Sequence, residues 1–152
     1  MATNYKAIAK KLKFEGRAFI NGKYVNAIDG KKFETINPAT GEKLCSVAKC
    51  NHKDVNLAVK VSRKAFNSGV WSKSSPEYRK EVLLKFAELL RKAGDENSVL
   101  ECVDTGKLIA DCINEVANDA PMHFQWYGEL IDKVFGKVGP TEPSITSLIV
   151  KE

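Results

Sequence analysis

Four cysteines and two histidines are the residues that would most directly declare an active site: Cys45, Cys50, Cys102 and Cys112, with His52 and His123. A cysteine nucleophile works as the thiolate, and a nearby imidazole, a cation or a helix N-terminus must hold it in that form. Neither histidine stands beside a recognisable partner for that task. No pair is spaced CxxC and no histidine follows at zinc-finger distance, so a structural zinc site is not expected. Cys45 falls in the alternating run Leu44-Cys45-Ser46-Val47 and reads as a small strand residue. Cys102, between Leu100 and Val103, closes a helical pattern and reads as core packing. All four thiols are therefore read as structural.

The elements that would have to position any chemistry begin as short strands. Phe19-Ile20-Asn21-Gly22-Lys23-Tyr24-Val25 predicts a hairpin, because Asn-Gly between β-prone residues supplies the two positive φ angles of a type I′ turn. Asp29-Gly30 predicts a second turn, and Lys32 to Ile36 alternates like a strand. Asn37-Pro38-Ala39-Thr40-Gly41 breaks it, and Lys43 to Ala48 resumes one. The period then changes. Val55, Ala58, Val59, Ala65 and Phe66 share a helical face opened at Asn51 or His52 and stopped by Asn67-Ser68-Gly69. Ser75-Pro76 supplies an N-cap and a first-position proline to the stripe Val82, Leu83, Phe86, Leu89 and Leu90. A third helix is predicted over Glu96 to Val103, and a fourth from about Ile109 to Val134, kinked or restarted at Pro121. Gly136 to Pro140 is read as its stop. Ile145 to Val150 is read as a final strand with only the N-terminal strands left to pair it, an exposed edge of the kind that invites association.

A chain of 152 residues has room for one domain, and 43% hydrophobic with 28% charged residues is an ordinary composition. No apolar run is long enough to span a bilayer, and the lysine-rich opening lacks a secretory h-region, so a cytoplasmic location is expected. Tyr5, Ile8, Ala9 and Leu12 allow a short amphipathic helix there. The net charge of +5 raises nucleic acid as a partner, yet the lysines are dispersed among acidic residues and no aromatics interleave with them. Neither nucleic acid nor a membrane is expected as a partner.

Phe19-Ile20-Asn21-Gly22, then Phe33-Glu34-Thr35-Ile36-Asn37-Pro38-Ala39-Thr40-Gly41-Glu42, resembles the N-terminal signature of the aldehyde dehydrogenase superfamily. Asp54-Val55, Trp71-Ser72, Arg79, Glu101-Cys102-Val103-Asp104-Thr105-Gly106-Lys107, Trp126-Tyr127 and Gly136-Lys137 follow in the family's order. Trp71 to Pro76 and Ile131 to Gly136 look most like the bacterial γ-glutamyl-γ-aminobutyraldehyde dehydrogenases of putrescine breakdown. The resemblance implies an α/β fold: the N-terminal portion of a coenzyme-binding domain, with short antiparallel strands followed by helices, ending in the first strand of an oligomerisation hairpin. Residues 1–18 would be a tail, 19–135 the domain portion and 136–152 the start of the oligomerisation region, with a homo-oligomer formed through 144–152.

The family oxidises an aldehyde to a carboxylic acid with NAD or NADP, using a catalytic cysteine and a general-base glutamate. None of the four cysteines here matches that nucleophile, and the sequence contains neither Asn-Phe-Pro nor a GxGxxG turn. The resemblance thus implies no catalytic and no coenzyme-binding residue in this chain, which is expected to be inactive alone. It does imply a Na⁺ or K⁺ site at Thr35, Ile36 and Asp104; Asp104 as a plain turn or cap residue before Gly106 fits the sequence equally well. Leu108 stands where the family usually has proline. Glu115, Val116 and Asp119 are implied at the substrate entrance, where two carboxylates would suit an aminoaldehyde; an acidic, solvated helix face is the competing reading. Phe124, Trp126 and Tyr127 are expected to be core. A non-catalytic module that docks on full-length subunits is the alternative function.

Overall fold

The computed structural model describes residues 3–150. A short helix α1 (Tyr5–Ala9), capped by Asn4, precedes two hairpins, β1 (Ala18–Ile20) with β2 (Lys23–Val25) and β3 (Lys32–Ile36) with β4 (Lys43–Ala48). Both are antiparallel, and the second has a register irregularity between Thr35 and Ile36. The first turns on Asn21 and Gly22 at φ 55° and 73°, as the Asn-Gly dipeptide predicts. Gly16 brings the lead-in chain against β4: its carbonyl accepts from Ala48 N–H, and a Cβ there would lie 2.1 Å from the Ser46 carbonyl oxygen.

The helical half starts with α2 (His52–Ser68), which has a capping box. Asn51 Oδ1 accepts from Lys53 N–H at 2.8 Å, and Asp54 Oδ2 accepts from Asn51 N–H at 2.9 Å. Gly69 ends it in the left-handed region at φ 73°. Arg79 then donates to the carbonyls of Trp71, Ser72 and Ser74, pinning the turn that leads into α3 (Pro76–Lys92). Ser75 and Pro76 occupy the cap and first positions as expected.

Helix α4 (Gly94–Thr105) follows after the single residue Ala93 and is longer at both ends than the predicted third helix. Gly94 permits this tight junction, since a Cβ there would sit 2.9 Å from the Ala117 side chain. The long fourth helix is not continuous. It runs as α5 (Ile109–Cys112), a π segment (Ile113–Asp119) and α6 (Ala120–Leu130). Pro121 does not kink an α-helix here. It sits in the first turn of α6, where its missing N–H leaves no bond unmade, and the wider π turn absorbs the mismatch before it. Gly128 lets α6 lie against α3, its hypothetical Cβ being 3.1 Å from Leu83 Cβ.

Two expectations are corrected. The final strand does not depend on the N-terminal hairpins: β6 (Ser147–Ile149) pairs antiparallel with β5 (Lys137–Gly139), in the stretch read as a helix stop. Glycine explains this, because a Cβ on Gly136 would stand 2.7 Å from the Ile149 carbonyl oxygen. The strand is also shorter than the predicted 145–150, and positions 151 and 152 of the implied oligomerisation strand lie outside the described residues. The aromatic group is not core either: Trp126 is 63% and Tyr127 60% exposed. Helix α6 meets α3 at Gly128 and at Phe124, which stands edge-on to Phe86 at 4.6 Å, while the rings of Trp126 and Tyr127 are left exposed.

Among the described residues the buried apolar side chains are few and small: Ala27, Ala48, Ala87, Val99, Cys112 and Pro121. Ion pairs at the surface add electrostatic order. Lys80 Nζ reaches Asp132 at 2.7 Å, joining α3 to the turn after α6. Three carboxyls are held at about 2, below their ordinary 4.5 or 3.8: Glu15 by Arg17, Glu88 by Lys85 and Lys92, and Asp132 by Lys133 and Lys80. For such groups the unfolded chain binds more protons, so stability is present above the ordinary carboxyl values and is lost as pH falls through the folded ones. The urea midpoint is therefore expected to decline between pH 4.5 and 2. Lys80→Met should make that decline shallower, and an unchanged profile in the variant would assign Asp132 no part in it. Because all three groups are exposed, each effect is small.

Candidate functional site

An open groove of about 790 Å³ runs between the β3–β4 hairpin and helix α4. Its walls include Phe33, Thr35, Cys45 and Val47 from the strands, Asn97, Leu100, Glu101 and Asp104 from α4, and Val116 from the π segment. Alternation along β3 and β4 places Thr35 opposite Cys45 in the register, with Phe33 and Val47 one pair along on the same side. On α4, Asn97, Leu100, Glu101 and Asp104 repeat at the three- and four-residue intervals of a single face.

Thr35 Oγ1 donates to Asp104 Oδ1 at 3.1 Å across 69 positions of sequence, so two of the three predicted cation-site residues meet. The third, Ile36, is 43% exposed and lies at the register irregularity. Gly106, at φ 77°, turns the chain just after Asp104, and its hypothetical Cβ would be 2.7 Å from Pro38 Cγ. That contact seats the turn after α4 against the Asn-Pro turn. The latter is closed by Asn37 N–H to the Glu42 carbonyl and Gly41 N–H to the Asn37 carbonyl.

The three predicted entrance residues separate. Val116 faces the groove, so the π segment brings it together with Thr35 and Asp104. Glu115 points to Lys107 instead, Oε2 to Nζ at 2.6 Å, and Lys107 also lies 3.6 Å from Glu101. These carboxylates raise the Lys107 pKa, chiefly through the hydrogen bond to Glu115. Asp119 is exposed and its carboxylate makes no ion pair among the described residues; its backbone carbonyl accepts from His123 Nδ1 at 2.7 Å. The link Glu101–Lys107–Glu115 escaped sequence reasoning, since Lys107 lies in the turn between α4 and α5, where helical spacing predicts no neighbours. The only available signal was a lysine set between acidic residues next to a glycine turn.

The four thiols differ in their surroundings. Cys112 is fully buried, and burial pushes its pKa up, with the neighbouring Cys102 and Glu101 adding to the shift. Its backbone carbonyl accepts from the buried Ser98 hydroxyl at 3.2 Å. Cys102 Sγ–H donates to the Lys107 carbonyl at 3.1 Å. Cys45 borders the groove, and Cys50 is exposed.

Strand pairs leading into a capped helix, an Asn-Pro turn docked on an Asp-x-Gly-Lys turn, and a three-part helix over α3 together make a recognisable arrangement. The aldehyde dehydrogenase family signature matches residues 24–152, and the chain belongs to that family. It is 39% identical to an aminoacetaldehyde dehydrogenase of Pseudomonas aeruginosa over 97% of its own length and 30% of that protein's. It is also 39% identical to the NADP/NAD-dependent aldehyde dehydrogenase PuuC of Escherichia coli, covering 95% of this chain and 29% of that one. Among solved structures, the indole-3-acetaldehyde dehydrogenase of P. syringae in complex with NAD⁺ superposes with a TM-score of 0.90 at 38% identity, over 95% of this chain and 29% of that one. The γ-glutamyl-γ-aminobutyraldehyde dehydrogenase of Burkholderia cenocepacia superposes with a TM-score of 0.87 at 42% identity, over 91% and 28%. The chain thus spans about 30% of the relatives it matches, in their N-terminal part. No helix among the described residues is long and apolar enough to cross a membrane.

Proposed function

We propose that this chain forms the N-terminal part of the coenzyme-binding domain of an NAD(P)-dependent aldehyde dehydrogenase acting on an aminoaldehyde. Residues 19–135 make that portion and 136–152 begin an oligomerisation hairpin through which subunits of a cytoplasmic homo-oligomer meet. The observation that carries the coenzyme-binding part of this reading is the superposition on an enzyme solved with NAD⁺, at a TM-score of 0.90 over 95% of the chain, and the 39% identity to an aminoacetaldehyde dehydrogenase supports the aminoaldehyde. In the reaction, water and aldehyde give the carboxylic acid while NAD(P)⁺ accepts a hydride and a proton is released. The coenzyme supplies the hydride acceptor; this chain's own residues work around it.

Thr35, Ile36 and Asp104 hold a monovalent cation. The backbone carbonyl oxygens of Thr35 and Ile36 and the Asp104 carboxylate are hard donors suited to Na⁺ or K⁺, and the ion would tie the Asn-Pro turn to the end of α4. Val116, Glu115 and Asp119 border the substrate entrance. Lys107 occupies Glu115, so Asp119 is the carboxylate left to attract the ammonium group of an aminoaldehyde.

A chimera tests the assignment: the aligned segment of the E. coli relative is replaced by this chain, and reduced coenzyme is followed with aminoaldehyde and neutral aldehyde substrates. Aldehyde-dependent reduction is expected to persist. Asp119→Asn in the chimera should raise KM for the aminoaldehyde several-fold and leave the neutral substrate unchanged. A soluble, folded chimera without any aldehyde oxidation would remove the proposal.

A further inference from the structure

Lys107 follows Gly106 in the turn between α4 and α5, and its ammonium stands between two carboxylates carried by different elements. Nζ is 2.6 Å from Glu115 Oε2 on the π segment and 3.6 Å from Glu101 Oε1 on α4. Glu101 also lines the groove, together with Asp104 and Val116. The slot between the carboxylates therefore adjoins the space where those two side chains meet.

The occupant shows what the slot takes. A lysine side chain ends in a primary alkylammonium, the group that also terminates an aminoaldehyde. The hydrogen bond to Glu115, with the charges of Glu115 and Glu101, holds the Lys107 pKa above the ordinary lysine value, so the slot is filled by a cation through the neutral range. All three side chains are more than a third exposed, and such pairs add little to stability. The consequence of the pairing is for charge. Without the ammonium, two carboxylates would face each other unpaired, and an incoming cation would relieve their repulsion.

We propose that Lys107 is a specificity-determining residue: its own ammonium fills the slot between Glu101 and Glu115 and keeps the ammonium of a substrate out of it. The inference rests on the function proposed above and adds the residue that sets how strongly charged aldehydes are preferred over neutral ones. Lysine at this position moderates that preference, and an uncharged side chain in its place strengthens it.

The test uses the chimera in which this chain replaces the aligned segment of the E. coli relative. Lys107→Gln should lower KM for the aminoaldehyde about fivefold relative to KM for a neutral aldehyde of equal length, the scale of an exposed ion pair. About 0.5 M salt should remove most of that gain, since screening acts on charge and not on shape. Lys107→Arg, which keeps a cation in the slot, should match the parent. Adding Glu115→Gln to Lys107→Gln should cancel most of the gain, because the freed carboxylate is then gone. An unchanged KM ratio in Lys107→Gln, or a gain that survives both high salt and the Glu115 change, would overturn the proposal. Calorimetric titration with n-butylammonium chloride reads the slot without turnover. Binding at least threefold tighter in Lys107→Gln than in the parent upholds the proposal, and equal binding overturns it. A chimera that oxidises no aldehyde would count against the proposed function, while the titration would still decide the role of Lys107.

Discussion

The isolated chain, given NAD⁺ or NADP⁺ and an aldehyde, is expected to form no reduced coenzyme above background. The reason lies in the thiols, since covalent aldehyde oxidation needs a thiolate aimed at open space. Cys112 is enclosed, with its pKa raised by burial, and attack from it would require the helices to part. Cys102 gives its hydrogen to the Lys107 carbonyl. Cys45 borders the groove with no histidine near it, both histidines lying on helices outside the groove's lining. An oxyanion donor contributes about 3 kcal/mol to such chemistry, and no donor can substitute for the nucleophile. Spectroscopic assay of reduced nicotinamide decides the matter. Sustained turnover that requires the aldehyde and disappears on alkylation of the cysteines would show that one of these thiols is catalytic.

Asp54→Ala is expected to destabilise the fold by about 3 kcal/mol, combining the loss of a helix cap with the loss of a charge-assisted hydrogen bond. Asp54 is only 2% exposed and serves two elements at once. One oxygen closes the capping box of α2 at Asn51 N–H, and the other accepts from Ile28 N–H at 2.8 Å, holding the chain after the first hairpin to the helix. Alanine would leave a partly buried Ile28 N–H without its acceptor. Against so few and such small buried apolar side chains, a loss of that size is a large share of the whole stability. Urea unfolding measures it, with Glu42→Ala in the exposed turn as a control expected to stay within about 0.5 kcal/mol. Equal midpoints for Asp54→Ala and wild type would show that the carboxylate holds nothing together.

Sequence alone made the boundaries legible wherever a backbone demand falls on one residue type. Asn21-Gly22 needed positive φ, Gly69 ended α2, and Ser75-Pro76 opened α3, all as expected. It failed where the demand was tertiary. The π segment draws on the same residue types as an α-helix, so its only trace was Pro121. Strand β5 is three residues long beside glycine, and only the approach of Ile149 to Gly136 reveals it. Trp126 and Tyr127 read as core because periodicity states that a face is apolar without saying what covers it. At the site, family resemblance supplied Thr35 and Asp104, and the structure supplied their 3.1 Å contact. Val116 came from the same resemblance, but its place in that groove depends on the rotation of the π segment.

That rotation has a further consequence for length variation. A π turn accommodates one residue more than an α turn over the same rise, and each residue advances a helix by about 100°. Deleting a single residue within Ile113–Asp119 would let the segment relax to α geometry while leaving α6 docked on α3 through Gly128. The flanking α5 and α6 would keep their phase, because the lost residue is the one the wider turn absorbs, and the change would fall on the π segment itself, where Val116 lines the groove and Ala117 meets Gly94. The segment therefore works as slack in the helix, fixing which of its own side chains meet the strands and making the fold more tolerant of a lost residue there than within α3 or α6.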